Sequence, residues 1–217
     1  MTHVFVETNW VVAYAAPAHM QVPAAAQLIE KALAGQLTLH LPALCLTEAR
    51  HPLRTKFQPR TTADSIRKYL GWATHAGKVE QDSAGTVRMI LDQYEATVSG
   101  ELDQLDERLQ KLTEQSGIEV FALSEIMLAR AVQLSTMNLD LKPFDQAILA
   151  AVLVRADQLR KDGIYDLAFC ELDFDLQPWD KNGRTKQPLA ALYDSAGVWV
   201  YGDFAMESPV RPPTFSD

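Results

Sequence analysis

Four acidic residues stand where the sequence pattern allows carboxylates to do chemistry. Glu7 and Asp173 each follow an apolar run that predicts a buried strand. Glu48 continues the apolar stripe of a predicted helix, and Asp145 lies in the first turn of another predicted helix. Ligands of open α/β sheets bind beyond the carboxyl ends of the strands, so we expect these four carboxylates to surround one pocket there.

Carboxylates gathered into one pocket cannot all be ionised without a cation. An all-oxygen ligand set favours a hard divalent ion, so we expect Mg²⁺ or Mn²⁺. The five histidines show no metal-ligand spacing and the chain has only two cysteines, which disfavours zinc. Hard divalent ions bind phosphate oxygens, activate water and stabilise developing charge, so the pattern favours phosphoryl chemistry. Asp175, close behind Asp173, is a further candidate ligand.

Simpler interpretations exist for these acids. Glu7 could be the solvated end of a strand, and an acid such as Asp145 is favoured in a first helical turn by the helix dipole whatever its function. A glutamate that shares an apolar stripe, as Glu48 does, needs a partner or a metal.

Predicted strands and helices alternate along the chain. The strands are predicted near residues 4–6, 38–41, 118–122, 166–170 and 197–201. Helices are predicted over residues 23–34, from about 42 towards Pro52, over 124–137, from 143 to about 159 and over 189–193. This alternation predicts an α/β fold around a parallel sheet.

A helical segment from about residue 62 to 115 interrupts the alternation. It is predicted as a pair of long helices, broken near Gly77 and Gly85, that acts as a lid or as a surface for a partner chain. Residues 50–68 carry six Lys and Arg side chains against one acid, Asp64. This basic segment is either a solvated face or a contact for phosphates.

The composition is that of an ordinary globular protein. The chain has 217 residues, 47% hydrophobic and 22% charged, which predicts one domain over residues 1–204 followed by an irregular tail at 205–217. The net charge of −8 means that a polyanion would need a local basic patch. Cys45 and Cys170 lie apart in apolar segments, as expected of reduced thiols in a cytoplasmic protein. No signal-peptide pattern or membrane-length apolar run is present.

The acidic motifs resemble those of the PIN-domain nucleases, a family that includes the ribonuclease toxins of toxin–antitoxin pairs. The matching stretches are Phe5–Asn9, the helix that carries Glu48, Phe144–Ile148 and Leu172–Asp175. Each motif is short, and the resemblance rests on their order and spacing along nearly the whole chain.

The resemblance implies a doubly wound, mainly parallel five-stranded sheet flanked by helices, with the acids at its carboxyl edge. It implies a metal-dependent endoribonuclease that hydrolyses RNA phosphodiesters, with Glu7, Glu48, Asp145 and Asp173 as catalytic residues. These four and Asp175 would hold Mg²⁺ or Mn²⁺. The expected partners are single-stranded or structured RNA, an antitoxin protein and a second copy of the chain.

Substrate contacts are expected from polar and basic residues close in sequence to the acids. They are Thr8, Asn9, Arg50, Arg54, Lys181 and Arg184. Two departures from the family pattern stand out: Glu7 occupies the position of an Asp, and the helical insertion is longer than in compact toxins. The alternative is a catalytically inactive scaffold of the same fold that binds RNA or protein.

Other phosphoryl and hydrolytic motifs are absent from the sequence. It has no Gly-x-x-x-x-Gly-Lys phosphate loop, no Gly-x-Gly-x-x-Gly after a strand and no Gly-x-Ser-x-Gly elbow. Glu7-Thr8-Asn9 also lacks the Asp-x-Asp that an aspartate-nucleophile phosphatase needs after its first strand.

Overall fold

The computed structural model describes residues 1–207 and 210–213. The strands are β1 (Thr2–Phe5), β2 (Leu37–Pro42), β3 (Ile118–Phe121), β4 (Leu167–Cys170), β5 (Val198–Tyr201) and β6 (Val210–Arg211). The α-helices are α1 (Thr8–Ala15), α2 (Pro23–Leu33), α3 (Ala43–Lys56), α4 (Pro59–His75), α5 (Gln81–Asp103), α6 (Leu105–Glu114), α7 (Glu125–Ser135), α8 (Pro143–Lys161) and α9 (Leu189–Ala196). A 3₁₀ turn, Ala18–Met20, follows α1.

The strands form one sheet in the order β3-β2-β1-β4-β5-β6. All neighbours are parallel except β5 and β6. The chain moves outward from β1 to β3, then returns across the sheet to β4 on the other side of β1. The strand order therefore reverses between β1 and β4, which is the point where α/β sheets bind ligands.

The helices cover both faces of the sheet. Parallel crossovers are right-handed, so connections that run in opposite directions place their helices on opposite faces. One layer includes α1 and α2, joined by a bond from the Trp10 indole to the Ala25 carbonyl oxygen (3.2 Å). In the other layer, Arg155 of α8 bonds Glu119 of β3 (2.5 Å) and Tyr193 of α9 packs on Phe169 of β4. This arrangement is an α/β fold compatible with double winding.

The five predicted strands are all present, but the sheet has a sixth. The sixth strand, β6, pairs antiparallel with β5 inside the segment predicted to be an irregular tail. Short edge pairing of this kind leaves no periodic sequence signal, because only Val210 and Arg211 take part. Residues 208–209 and 214–217 of that predicted tail lie outside the described residues.

The segment between β2 and β3 is more helical than predicted. Helix α3 continues past Pro52 to Lys56, and three helices follow where two were expected. The chain breaks near Gly77, which has φ +64°, whereas Gly85 lies inside α5. Helices α4 and α5 pack on each other through a small core of their own, built from Ala63, Leu70 and Leu91.

None of the helices in residues 1–207 and 210–213 is both long and apolar enough to cross a membrane.

Candidate functional site

The candidate site lies at the carboxyl edge of β1 and β4. Val4 pairs with Ala168 and Phe5 with Phe169. Continued by two residues, this register brings Glu7 and Glu171 out of neighbouring strands side by side. Two carboxyl groups thus leave the sheet at its point of reversal.

One cavity of about 360 Å³ collects the four predicted acids. Glu7 precedes α1, Glu48 lies within α3, Asp145 lies in the first turn of α8, and Asp173 follows β4. Four separate elements therefore aim carboxylates at one space. Thr8 and Asn9, two of the predicted substrate contacts, line it as well.

Glu7 is buried and caps helix α1. Both of its carboxylate oxygens lie 2.8 Å from the backbone N–H of Asn9. Desolvation by burial raises its pKa to about 8, against the lowering effect of the Asn9 bond, and the charges of Glu48, Asp173 and Asp145 raise it further. Without a cation, Glu7 is protonated at neutral pH.

Glu48 is half-buried and is held by a hydroxyl group. Thr8 Oγ1 donates a hydrogen bond to Glu48 Oε2. Burial raises the pKa of Glu48, the Thr8 bond lowers it and the charge of Asp145 raises it. Thr8, next to Glu7 in sequence, therefore ties α3 to the start of α1.

Asp145 has an oxygen without a partner. Its Oδ2 is buried and accepts no hydrogen bond from any described residue. Burial, and secondly the charge of Asp173, raise the pKa of Asp145. Pro143 begins α8, where the N–H that proline lacks would have no helical partner in any case. This start places Asp145 in the first turn of the helix.

Asp173 belongs to a turn held by backbone bonds. Its Oδ1 accepts from the N–H of Asp175 at 2.9 Å. Lys186 Nζ donates to the carbonyl oxygens of Phe174 (2.6 Å) and Asp175 (2.9 Å). These bonds hold the backbone of the turn that carries Asp173.

Glu171 is a member of the site that the sequence analysis did not single out. It is fully buried, its Oε1 accepts from the Asp173 N–H at 2.5 Å, and its Oε2 has no partner among the described residues. Burial, and secondly the charge of Glu7, hold its pKa well above the ordinary range. The signal was present: Glu171 follows the apolar strand β4 as Glu7 follows the run Val4–Val6.

Arg50 and Arg54 do not line the cavity. Both bind Asp106 of α6, Arg50 through Nε at 3.3 Å and Arg54 at 3.1 Å. They follow Glu48 by two and six residues, which on a helix turns them about 200° and 240° away from it.

The cavity instead takes other residues of α3. His51 and Lys56 line it, because they share the helix face of Glu48 once α3 continues past Pro52.

The remaining predicted contacts also lie apart from the cavity lining. Lys181 and Arg184 are exposed in a turn, where the Arg184 N–H bonds Asp180 at 2.9 Å. Asp175 is exposed and reaches the site only through its backbone N–H. None of these three side chains lines the cavity.

The donor chemistry of the cavity fits a hard divalent cation. All the lining acids present oxygen, and Asp145 Oδ2 is a buried atom that lacks a partner among the described residues. In the described ranges, no group of three or more acidic, His or Cys side chains is arranged so that it could hold a metal ion as it stands. Uncompensated carboxylates repel one another, and a bound cation would offset that repulsion.

Comparison of the chain with protein-family models found no match, and comparison with curated proteins found no significant similarity.

Proposed function

We propose that the chain is a PIN-like, metal-dependent endoribonuclease that hydrolyses RNA phosphodiester bonds. The observation that carries the proposal is the convergence of Glu7, Glu48, Asp145 and Asp173 on one cavity at the point where the strand order reverses. The order of the four acidic motifs along the chain resembles that in PIN-domain nucleases, and this resemblance also supports the proposal. Carboxylates gathered at such a point favour phosphoryl transfer.

The four acids would hold one Mg²⁺ or Mn²⁺ ion, with Asp175 a more distant candidate. When bound, the ion supplies a positive charge for a phosphate oxygen, a more acidic water and stabilisation of developing charge. Thr8 orients Glu48, and the buried Glu171 orients the backbone of Asp173. These two contacts prepare the ligands in advance.

One basic side chain and one imidazole that could contact phosphate lie on the rim of the cavity. Lys56 and His51 line it and are exposed, so they can meet the RNA backbone. Lys181 and Arg184 are also exposed, and we propose that they contact the RNA outside the cavity. Arg50 and Arg54 would first have to leave Asp106.

We also propose that this nuclease is the toxin of a toxin–antitoxin pair. The hairpin of α4 and α5 exposes Tyr69, Trp72 and Ile90, an apolar surface suited to an antitoxin or to a second copy of the chain. A small open reading frame beside the gene, whose product binds the chain and blocks cleavage, would support this role.

One observation favours the second candidate, an inactive scaffold that binds RNA or protein. Glu7 has both carboxylate oxygens against the Asn9 N–H, and burial together with neighbouring acids keeps it protonated. A residue committed to capping α1 is a poorer ligand than a free aspartate.

The test is cleavage of single-stranded RNA in the presence of Mn²⁺. Asp145→Asn removes a negative ligand but keeps the shape of the side chain and the start of α8, so cleavage should be abolished while RNA binding survives. Asp157→Asn, an exposed position later on the same helix, is the matched control and should cut as the wild type does.

The outcomes separate the two candidates. Cleavage by wild type and Asp157→Asn but not by Asp145→Asn supports the nuclease. Equal cleavage by all three proteins would place the activity in another site or a contaminant. RNA binding without cleavage under Mg²⁺ or Mn²⁺ would favour the scaffold, and Glu7→Asp would then be tested for restored activity.

A further inference from the structure

A second cavity adjoins the carboxylates. It has a volume of about 480 Å³ and shares Asn9, Val12, Lys56 and Asp173 with the first cavity. The two cavities therefore adjoin at a wall that holds one acid, Asp173, and one cation, Lys56.

The walls of this second cavity are apolar and open to water. Met20 and Val22, after α1, are 47% and 39% exposed, and Leu172 and Phe174, after β4, are 39% and 55% exposed. None of these four side chains belongs to the buried core. Exposed apolar side chains gathered on both sides of a groove indicate a binding surface, because each would gain free energy by leaving water.

The backbone at Phe174 is held by hydrogen bonds. Its backbone carbonyl accepts from Lys186 Nζ, and the turn around it is closed by the bond from the Asp175 N–H to Asp173. An aromatic ring on a fixed backbone loses little freedom on binding, so it is a favourable stacking surface.

The chemistry of the groove matches one nucleotide of an unpaired strand. A base has apolar faces for Phe174 and polar edges for the Asn9 amide, which can both donate and accept. Lys56 lines both cavities, so its charge can contact a phosphate of an RNA strand that occupies both of them. A paired base could not enter, because its faces are already stacked in the duplex.

We propose that this groove binds an unpaired nucleobase next to the phosphodiester held at the carboxylates, with Phe174 as the stacking residue. The inference rests on the proposed function. It makes the chain select a flexible single strand, and it makes Phe174 a specificity residue that never touches the reacting phosphate.

The experiment measures affinity in chelator, so that cleavage does not enter. The probes are a short oligouridine, an abasic oligomer of the same length and a fully paired RNA duplex, each with a fluorescent label. Phe174→Ala should weaken oligouridine binding about 5- to 150-fold, the range for loss of one stacked base. Phe174→Tyr, which keeps the ring, should bind within about twofold of wild type.

Two controls isolate the stacking contact. The abasic oligomer should bind wild type and Phe174→Ala equally, because it offers phosphates without bases. Tyr165, an exposed aromatic residue ahead of β4 at the opposite end of that strand, provides the matched variant Tyr165→Ala, which should bind oligouridine as wild type does.

The results distinguish this proposal from the nuclease proposal. Unchanged oligouridine affinity in Phe174→Ala overturns the base site even if wild type cleaves RNA. A Phe174 effect without cleavage under any divalent ion keeps the base site and rejects the nuclease. If Phe174→Ala instead turns a dimer into a monomer in sedimentation and leaves RNA affinity unchanged, the groove is an interface between copies and the base site is rejected.

Discussion

At the scale of single residues, Glu7 and Glu171 form a pair of buried carboxyl groups at the ends of adjacent strands. Burial is the largest cause of the raised pKa of both groups, and the charge of Glu7 raises the pKa of Glu171 further. The pair is costly in the folded protein unless a proton or a cation compensates it. Such a cost at one point is expected of a site built for a ligand.

The first residue-scale prediction concerns pH. The pKa of Glu7 is about 8 in the folded chain against 4.5 ordinarily, so between these values the folded state holds a proton that the unfolded state has lost. Stability in chelator should therefore fall as pH rises from about 4.5 to 8. Urea denaturation at several pH values measures this slope.

The matched variants for that slope are Glu7→Gln and Glu30→Gln. Glu7→Gln keeps a polar side chain but cannot ionise, so the loss of stability with rising pH should shrink. Glu171 still contributes, so some slope remains. Glu30 is exposed on α2, and its replacement should leave the slope as in wild type. A slope that Glu7→Gln does not alter would contradict the prediction.

Some residues of the candidate site could be predicted from the sequence and others could not. Glu7, Glu48, Asp145 and Asp173 could be placed near one edge because strand ends and helix starts are local signals. Glu171 was not singled out because Asp173 belongs to the same acidic cluster. The sequence pattern alone does not show which of the two side chains is buried. The helical spacing from Glu48 already turns Arg50 away from the site, whereas its partner Asp106 lies on α6 and is predicted by no local pattern.

At the scale of elements, α3 decides which cations reach the site. This helix was predicted to run only towards Pro52, because proline removes one helical hydrogen bond. The helix nevertheless continues, with Leu53 buried beyond the proline, and carries Lys56 to the cavity. Packing against the rest of the chain outweighed the local penalty, which propensity alone cannot reveal.

The hairpin of α4 and α5 is a semi-independent element. Its core of Ala63, Leu70 and Leu91 is separate from the main core. Arg67 joins the two helices through Asp92 at 2.6 Å and Glu95 at 2.8 Å. An element with few links to the sheet can open without unfolding the domain.

The prediction at this scale compares two leucines. Leu39→Ala, in the fully buried part of β2, should lower the free energy of unfolding of the whole domain by about 2–5 kcal/mol. Leu70→Ala should act locally, as faster hydrogen exchange in α4 and α5 with protection of the strands retained. Equal loss of protection in the strands for both variants would show that the hairpin and sheet unfold as one unit.

At the scale of the whole molecule, the net charge of −8 and the rim cations act together. A net negative surface repels nucleic acid, so the proposed RNA binding would depend on a few cations around the cavity. The α/β class could be predicted because strands and helices alternate along the sequence. The added strand β6 and the third inserted helix could not, since each is fixed by contacts with distant segments.

The whole-molecule prediction is stabilisation by metal. A cation that binds only the folded chain raises its stability by about 2.7 kcal/mol at a hundredfold excess over its Kd. Titration with Mn²⁺ at neutral pH should therefore raise the melting temperature of wild type and Asp157→Asn. Asp145→Asn should show a smaller rise at the same concentrations. Absence of any rise in wild type at millimolar Mn²⁺ would argue against a metal site.

The position of β4 next to β1 has a consequence for how the chain is made. During translation, Glu7 and Glu48 are synthesised early. Asp145 follows much later, and Glu171 and Asp173 later still. Until β4 inserts beside β1, that side of β1 has no neighbour and the cavity lacks its last wall. If the chain is the nuclease proposed above, a product truncated before β4 should not cleave RNA, because it lacks one side of the candidate site.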